Sequence, residues 1–175
     1  MKMIIAALLL MMSTHTQAQT TYVTAKDDDG GLIFNGPITF ADLNKEASFV
    51  WLKSGEKEYT PQEQATLYLT AYLKNYTMVV FMGTWCDDSH YLVPKLEKVL
   101  EKANYPMSML TMYGVDREKT TRKGDQAKYN ITLVPTIMLF KDGKEIGRIT
   151  ESAAKSVEED LAAMIVKDSG KAMPK

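Results

Sequence analysis

The stretch of this sequence best suited to chemistry is residues 83–90, GTWCDDSH, which holds the only cysteine of the 175-residue chain. An apolar strand is expected before it and a helix after it, so the sulfur of Cys86 should lie near the free N–H groups of a helix N-terminus. Such a position favours the thiolate, the nucleophilic form of cysteine. Ser89 is one helical turn further on and can donate a hydrogen bond to the thiolate. His90 can also reach the sulfur and support it as a cation.

Other interpretations of this stretch stay open. A lone cysteine is most often a small core residue, although its neighbours Asp87 and Asp88 are poorly suited to burial. The two carboxylates suit a helix N-terminus, but their charges disfavour a nearby thiolate. Cys86 and His90 can both ligate a metal, yet two ligands without a further cluster make a weak site. We therefore expect no metal, and no motif points to a cofactor.

The first residues have the order of a secretory signal peptide. Lys2 supplies a positive charge, residues 3–12 form an apolar run too short to span a bilayer, and small residues precede a cut after Ala18. We predict a signal peptide over residues 1–18 and an exported protein, periplasmic or secreted, with no membrane attachment after cleavage. The alternative is a hydrophobic N-terminal helix.

Composition indicates one globular domain, since 45% of the residues are hydrophobic and 25% are charged. The net charge of −1, from 21 basic and 22 acidic residues, makes nucleic acid an unsuitable partner. One cysteine forms no disulfide within its own chain, so a hydrophobic core must stabilise the fold. We divide the mature chain into a leader and extension (19–58), a main domain (59–168) and a C-terminal tail (169–175).

Periodicity predicts an alternation of strands and helices in the main domain. Apolar runs predict strands at 77–82, 107–113 and 134–140, with a returning strand at 145–150 after the hairpin turn Asp142-Gly143. Helical spacing predicts helices from a Thr60 cap to about Asn75, over 91–103, within 114–129 and over 156–166. The first two strands should be parallel and the last two a hairpin, which gives a mixed sheet with helices on both faces.

The extension is predicted to hold less regular structure. Residues 20–31 are polar and suggest a flexible leader, and residues 32–34 form a short apolar run that a turn at 35–37 ends. A helix capped by Thr39 should continue to Ser54-Gly55. A strand over 48–52 is the competing assignment.

Residues 77–166 resemble the thioredoxin superfamily. Four features carry the resemblance, in chain order: Trp85-Cys86-x-x-Ser after a buried strand, Pro94 eight residues beyond the cysteine, Val134-Pro135-Thr136 before an apolar strand, and the final hairpin LFKDGKEIGRI. The resemblance implies an α/β thioredoxin fold, with a mixed central sheet flanked by helices on both faces and, here, an N-terminal extension.

The same resemblance implies roles for individual residues. Cys86 would be the nucleophile that attacks a disulfide, with Trp85 packed beside it as part of a docking surface. Pro135 would be cis and place its loop against Cys86. The backbone of Val134 would pair with an extended substrate chain, and Pro94 would kink the active-site helix.

Two positions depart from the dithiol members of the superfamily. Ser89 stands where those proteins have the second, resolving cysteine, and Val80 stands where they have a buried acid. One thiolate can still form a mixed disulfide, which a second substrate thiol or an external thiol such as glutathione resolves. The predicted function is a monothiol thiol–disulfide oxidoreductase or isomerase of the cell envelope. Its partners are protein or small-molecule disulfides and an external thiol donor.

Other functions share some of these sequence features. The main alternative is a redox-inactive module of the same fold that binds extended polypeptide in the groove beside Pro135. A peroxidase-like role lacks a threonine-rich motif before Cys86. Monothiol glutaredoxins also use Cys-x-x-Ser, but Trp85, Pro94 and export favour the thioredoxin branch.

Overall fold

A computed structural model describes residues 22–173; the predicted signal peptide and the last two residues of the tail lie outside this range. Six strands form one sheet in the order β1-β2-β4-β3-β5-β6. The strands are β1 (Val23–Lys26), β2 (Leu32–Ile38), β3 (Thr77–Met82), β4 (Leu110–Gly114), β5 (Thr136–Lys141) and β6 (Lys144–Thr150). The helices are α1 (Phe40–Lys45), α2 (Val50–Glu58), α3 (Glu63–Tyr72), α4 (Asp87–Lys102), α5 (Asp125–Lys128) and α6 (Val157–Ser169).

The centre of the sheet confirms the predicted mixed topology. Strand β3 runs parallel to β4 and antiparallel to β5. Strands β5 and β6 form a hairpin. Its turn residues Asp142 and Gly143 both have positive φ, 50° and 78°, as a tight Asp-Gly hairpin turn requires. Within residues 22–173, no helix combines the length and apolar character needed to cross a membrane.

Two hydrophobic cores lie on opposite faces of the sheet, because successive strand residues point to opposite faces. Met78, Val80 and Met82 of β3 belong to the larger core, which includes side chains of α3, α4 and α6. Val79 and Phe81 belong to the smaller core, which the segment between β4 and β5 covers. That segment contains α5, a single turn without buried residues. Helices therefore flank both faces, although very unequally.

The extension is more regular than predicted. The expected flexible leader contains β1, which pairs antiparallel with the first half of β2. The expected turn at 35–37 is instead the continuation of β2, whose second half pairs with β4. This pairing needs a glycine opposite it, because a Cβ on Gly114 would lie 2.1 Å from the carbonyl oxygen of Phe34. The strand thus depends on a partner about 80 residues away, which local turn signals do not report.

The predicted helix from Thr39 is two helices, and the competing strand over 48–52 is wrong. Thr39 and Asp42 form a capping box at the start of α1, as expected. The helix stops after Lys45, and the Glu46 carboxylate accepts hydrogen bonds from the backbone and hydroxyl of Ser48. Helix α2 then continues through Gly55. A Cβ at this position would lie 2.9 Å from Pro94 of α4, so glycine is needed where the two helices pack. Gly55 is therefore a packing residue and not a helix terminator.

Several boundaries differ from the predicted ones. Helix α3 begins at Glu63 after the cap Gln62, not at Thr60, and it ends at Tyr72 before a 3-10 turn over Leu73–Asn75. The buried carboxylate of Glu158 accepts hydrogen bonds from the Gln62 N–H and the Tyr59 hydroxyl, and so fixes the chain ahead of this helix. The strand expected at 107–113 begins at 110, after a 3-10 turn over Met107–Met109. Helix α4 already begins at Asp87.

Candidate functional site

Cys86 occupies the N-cap position of α4, directly after the loop that leaves β3. Its backbone is extended, with φ −101° and ψ 121°, and its side chain makes no capping hydrogen bond. The backbone N–H of His90 donates to the Cys86 carbonyl at 2.9 Å and closes the first turn of the helix. Cys86 is partly exposed and packs at the rim of the smaller core. The position combines access from solvent with the positive end of a sixteen-residue helix.

The loop before β5 faces this sulfur. The Val134–Pro135 peptide bond is cis, as the resemblance implies. The thiol of Cys86 donates to the carbonyl oxygen of Val134 at 3.4 Å. The hydroxyl of Thr136 donates to the Leu133 carbonyl at 2.7 Å and closes the loop on itself. Cys86, Val134 and Pro135 are therefore brought together from positions nearly 50 residues apart.

Ser89 does not contact the thiol in the way the sequence suggested. Its side chain is fully buried, and its hydroxyl oxygen accepts a hydrogen bond from the backbone N–H of Gly83 at 3.2 Å. Helical spacing places Ser89 one turn above Cys86, but the rotamer is set by the tight loop at 83–86. The serine therefore ties the start of α4 to the end of β3.

His90 is likewise turned away from the sulfur. Its Nε2 lies 2.8 Å from the carbonyl oxygen of Thr84. A carbonyl only accepts hydrogen bonds, so Nε2 carries the proton. The imidazole stacks on Trp51 with ring centroids 4.4 Å apart and planes inclined by 18°. Its other nitrogen, Nδ1, lies 3.8 Å from the carboxylate of Asp87, which is fully exposed.

Trp85 lies beside the thiol on the same rim. Its indole N–H donates to the Val115 carbonyl at 2.9 Å, which attaches the active-site loop to the end of β4. The guanidinium of Arg117 lies 5.1 Å from the ring centroid, and the ammonium of Lys119 lies 5.7 Å from it. Gly83 allows this position, because a Cβ there would lie 2.7 Å from the indole ring. The surface next to the sulfur is aromatic with a basic edge.

Two contributors to the site lie outside the sequence motif. Thr84 is almost fully buried, and its hydroxyl bonds to the backbone of β2. Trp51 of α2 supports the ring of His90. Local spacing does not identify either residue, because their partners are 39 to 52 positions away. The one available signal is that a hydroxyl residue precedes the Trp-Cys pair.

The remaining sequence expectations concern acids and metals. Val80 is fully buried and apolar at the position of the acid in dithiol relatives. Within residues 22–173 there is no group of three or more His, Cys, Asp or Glu side chains placed to hold a metal ion. The site offers the thiol of a partly exposed cysteine and a loop carbonyl opposite it, and the chain has no second cysteine. Chemically, this arrangement can form a mixed disulfide but not an internal one.

Comparisons with known proteins identify the family and the fold. The thioredoxin family model matches residues 62–167. Thioredoxin-1 of Saccharomyces cerevisiae is 31% identical over 87 residues, which span 49% of this chain and 78% of the yeast protein. A thioredoxin of Chlamydia trachomatis is 32% identical over 71 residues, 41% of this chain and 64% of its own length. A solved protein of unknown function from Pseudomonas aeruginosa shares the fold at a TM-score of 0.52 and 12% identity, over 77% of this chain and 83% of its own.

Proposed function

Because this chain belongs to the thioredoxin family, we propose that it carries out thiol–disulfide exchange through one sulfur. The Cys86 thiolate attacks a substrate disulfide, forms a new sulfur–sulfur bond and releases the other substrate sulfur as a thiolate, which takes up a proton. No net oxidation occurs in this step, because one disulfide replaces another. The observation that carries the proposal is that Cys86 is a partly exposed residue whose sulfur lies 3.4 Å from the Val134 carbonyl.

Resolution of the mixed disulfide then needs a second thiol from outside the chain. Ser89 is buried and contributes no sulfur. A second thiol of the same substrate displaces Cys86 and leaves a rearranged disulfide, which is isomerisation. An external thiol such as glutathione displaces the substrate or Cys86 in the same way, and the attacking thiol becomes part of the new disulfide.

The surroundings of the sulfur suit a polypeptide substrate. The loop at Val134–Pro135 lies beside Cys86 and presents backbone to a chain that docks in extended form. Trp85 and the cations of Arg117 and Lys119 provide an adjoining aromatic and basic surface. With a signal peptide over residues 1–18, the proposed substrates are disulfide-containing proteins of the periplasm or the extracellular space.

Trapping tests the proposal directly. The full chain, expressed with residues 1–18 present, is recovered from the envelope and the medium after acid quenching and alkylation. We expect disulfide-linked adducts at Cys86 that dithiothreitol releases, and none with Cys86→Ser. The purified protein should also refold a scrambled disulfide protein in a glutathione buffer, and Cys86→Ser should not.

The alternative of a redox-inactive binding module predicts another result. If wild type and Cys86→Ser bind unfolded polypeptide equally and neither exchanges disulfides, the proposed chemistry is wrong and the fold serves binding alone. Equal far-ultraviolet circular dichroism of the two proteins excludes unfolding as the cause, since the partly exposed thiol contributes little to the core.

A further inference from the structure

The loop that presents Cys86 is held by the N-terminal segment at residues 22–58, which lies outside the match to the family model. Thr84, two residues before the cysteine, makes the central contact. Its hydroxyl oxygen accepts the N–H of Phe34 at 3.1 Å and its hydroxyl hydrogen goes to the carbonyl of Leu32 at 2.7 Å. Thr84 is 4% exposed; its bond to the Phe34 N–H is buried, and its bond to the Leu32 carbonyl is partly buried.

These hydrogen bonds fill a gap in the sheet. Strand β2 pairs with β4 only from Gly36 to Ile38. At Leu32 and Phe34, where β4 does not pair with β2, the Thr84 hydroxyl bonds to the β2 backbone instead. Buried backbone groups of this kind need a partner, and losing one costs about 1–3 kcal/mol. The threonine is thus bound to both a donor and an acceptor of β2, which restricts its position more than a single contact does.

Two further contacts connect the same segment to the site. Trp51 of α2 stacks on His90, and the His90 ring in turn donates to the carbonyl of Thr84. Asp27, in the turn after β1, forms a two-point ion pair with Arg117, the residue whose guanidinium faces Trp85. The loop before α4 is therefore held at two groups of Thr84, its hydroxyl and its backbone carbonyl. The indole of Trp85 lies next to Arg117, which the segment binds through Asp27.

We propose that Thr84 is a positioning residue for exchange at Cys86, and that residues 22–58 act through it as a working part of the redox site. This inference rests on the proposed function. The Thr84 hydroxyl does not touch substrate; it fixes the loop that sets the direction of the sulfur relative to Val134. A displacement of about 1 Å in a reacting group can lower a rate by about two orders of magnitude, so the loss of two bonds in this loop has a measurable effect.

The test uses the full chain with Thr84→Val, which removes the hydroxyl and keeps the volume, and Thr84→Ser, which restores it. We expect Thr84→Val to lower the rate of mixed-disulfide formation with a peptide disulfide by at least about tenfold, with Thr84→Ser within about threefold of wild type. Thr111→Val is the matched control, because Thr111 is exposed on β4 and lies outside the site. That control should exchange at the wild-type rate.

A structural role alone gives a different pattern. If Thr84→Val lowers the melting temperature but exchanges at the wild-type rate where it is folded, the positioning role is refuted. If Thr84→Val does not fold, Trp51→Leu tests the same connection through His90, and an unchanged exchange rate in that variant refutes the inference.

A second readout separates this inference from the proposed function. The pH profile of Cys86 alkylation by iodoacetamide reports the environment of the sulfur without any substrate. If wild type exchanges no disulfides but Thr84→Val shifts that profile, the proposed function fails and with it the role of Thr84 in exchange, although Thr84 still sets the environment of the sulfur. If exchange occurs and neither the exchange rate nor the profile responds to Thr84→Val, the function stands and the positioning fails.

Discussion

The hydroxyl oxygen of Ser89 accepts the backbone N–H of Gly83 at 3.2 Å, in a place without solvent exposure. The residue where dithiol relatives have a resolving cysteine is therefore part of the hydrogen bonding that closes the active-site loop. The bond joins the last turn before α4 to its first turn. Substitution at this position changes both the chemistry and the loop.

Ser89→Cys should create or strengthen disulfide reductase activity. Two cysteines one helical turn apart can form an internal disulfide, so each cycle reduces one insulin disulfide and oxidises the pair, which dithiothreitol then restores. We expect insulin precipitation above the wild-type rate, at a modest level because Val80 supplies no proton acceptor. Ser89→Ala, which loses the same bond to Gly83, should show no gain. A folded Ser89→Cys protein that retains two free thiols under an oxidising glutathione buffer would contradict this prediction.

Glu97 makes stability depend on pH. Its Oε1 accepts a hydrogen bond from Asn44 at 3.1 Å, whereas its buried Oε2 has no hydrogen-bond partner among the described residues. Burial, followed by the charge of Glu56, raises the pKa of Glu97 from 4.5 to about 7. The folded protein therefore keeps a proton between pH 4.5 and 7 that the unfolded chain has lost, and the free energy of unfolding falls as pH rises through this range.

Glu97→Gln should remove that dependence. We expect the variant to be more stable than wild type at pH 8 by about 1–2 kcal/mol, after allowance for solvent screening of a partly exposed carboxyl, and nearly equal at pH 4. Urea unfolding at the two pH values measures the difference. Glu101→Gln is the control, because the ion pair with Lys98 holds the pKa of Glu101 below its usual value. Parallel pH profiles for wild type and Glu97→Gln would show the assignment to be wrong.

Tyr59→Phe should destabilise the fold ahead of α3. Glu158 is 1% exposed and receives the Tyr59 hydroxyl at 2.7 Å and the Gln62 N–H at 2.8 Å. Removal of the hydroxyl leaves a buried carboxylate oxygen without its donor, at a cost of about 1–3 kcal/mol. Denaturant unfolding at pH 7 measures this loss. Tyr91→Phe, at an exposed tyrosine, is the control and should change stability by less than about 0.5 kcal/mol.

Gly114→Ala should disrupt the junction between the N-terminal segment and the sheet. The added Cβ would lie 2.1 Å from the carbonyl oxygen of Phe34, a backbone atom that cannot rotate away. We expect a loss of about 3 kcal/mol or more and increased amide exchange in β2. Gly31→Ala offers a comparison, because no atom lies within 4 Å of a Cβ at that position. Unchanged β2 protection in Gly114→Ala would mean that the junction accommodates the added Cβ, and would contradict this prediction.

Much of the main domain could be predicted from local patterns. The continuous apolar run of β3 defines a strand buried on both faces, and the Asp142-Gly143 pair defines the hairpin. The resemblance carried by the Trp-Cys and Val-Pro-Thr motifs implied that Cys86, Trp85, Val134 and Pro135 lie close together. Apolar strand runs and turn signals are local because they depend on consecutive residues of the chain.

The tertiary structure decided the direction of the side chains and the use of the extension. Helical spacing placed Ser89 and His90 on the Cys86 face, but Gly83 and Thr84 offered them backbone partners that the spacing does not show. Local patterns predicted the strands of the extension poorly. The backbone of β2 hydrogen-bonds with Thr84, about 50 residues away, and no local pattern reports such a partner. A pattern read along the chain records which residues can be buried or bonded; which partner they find depends on packing between distant segments.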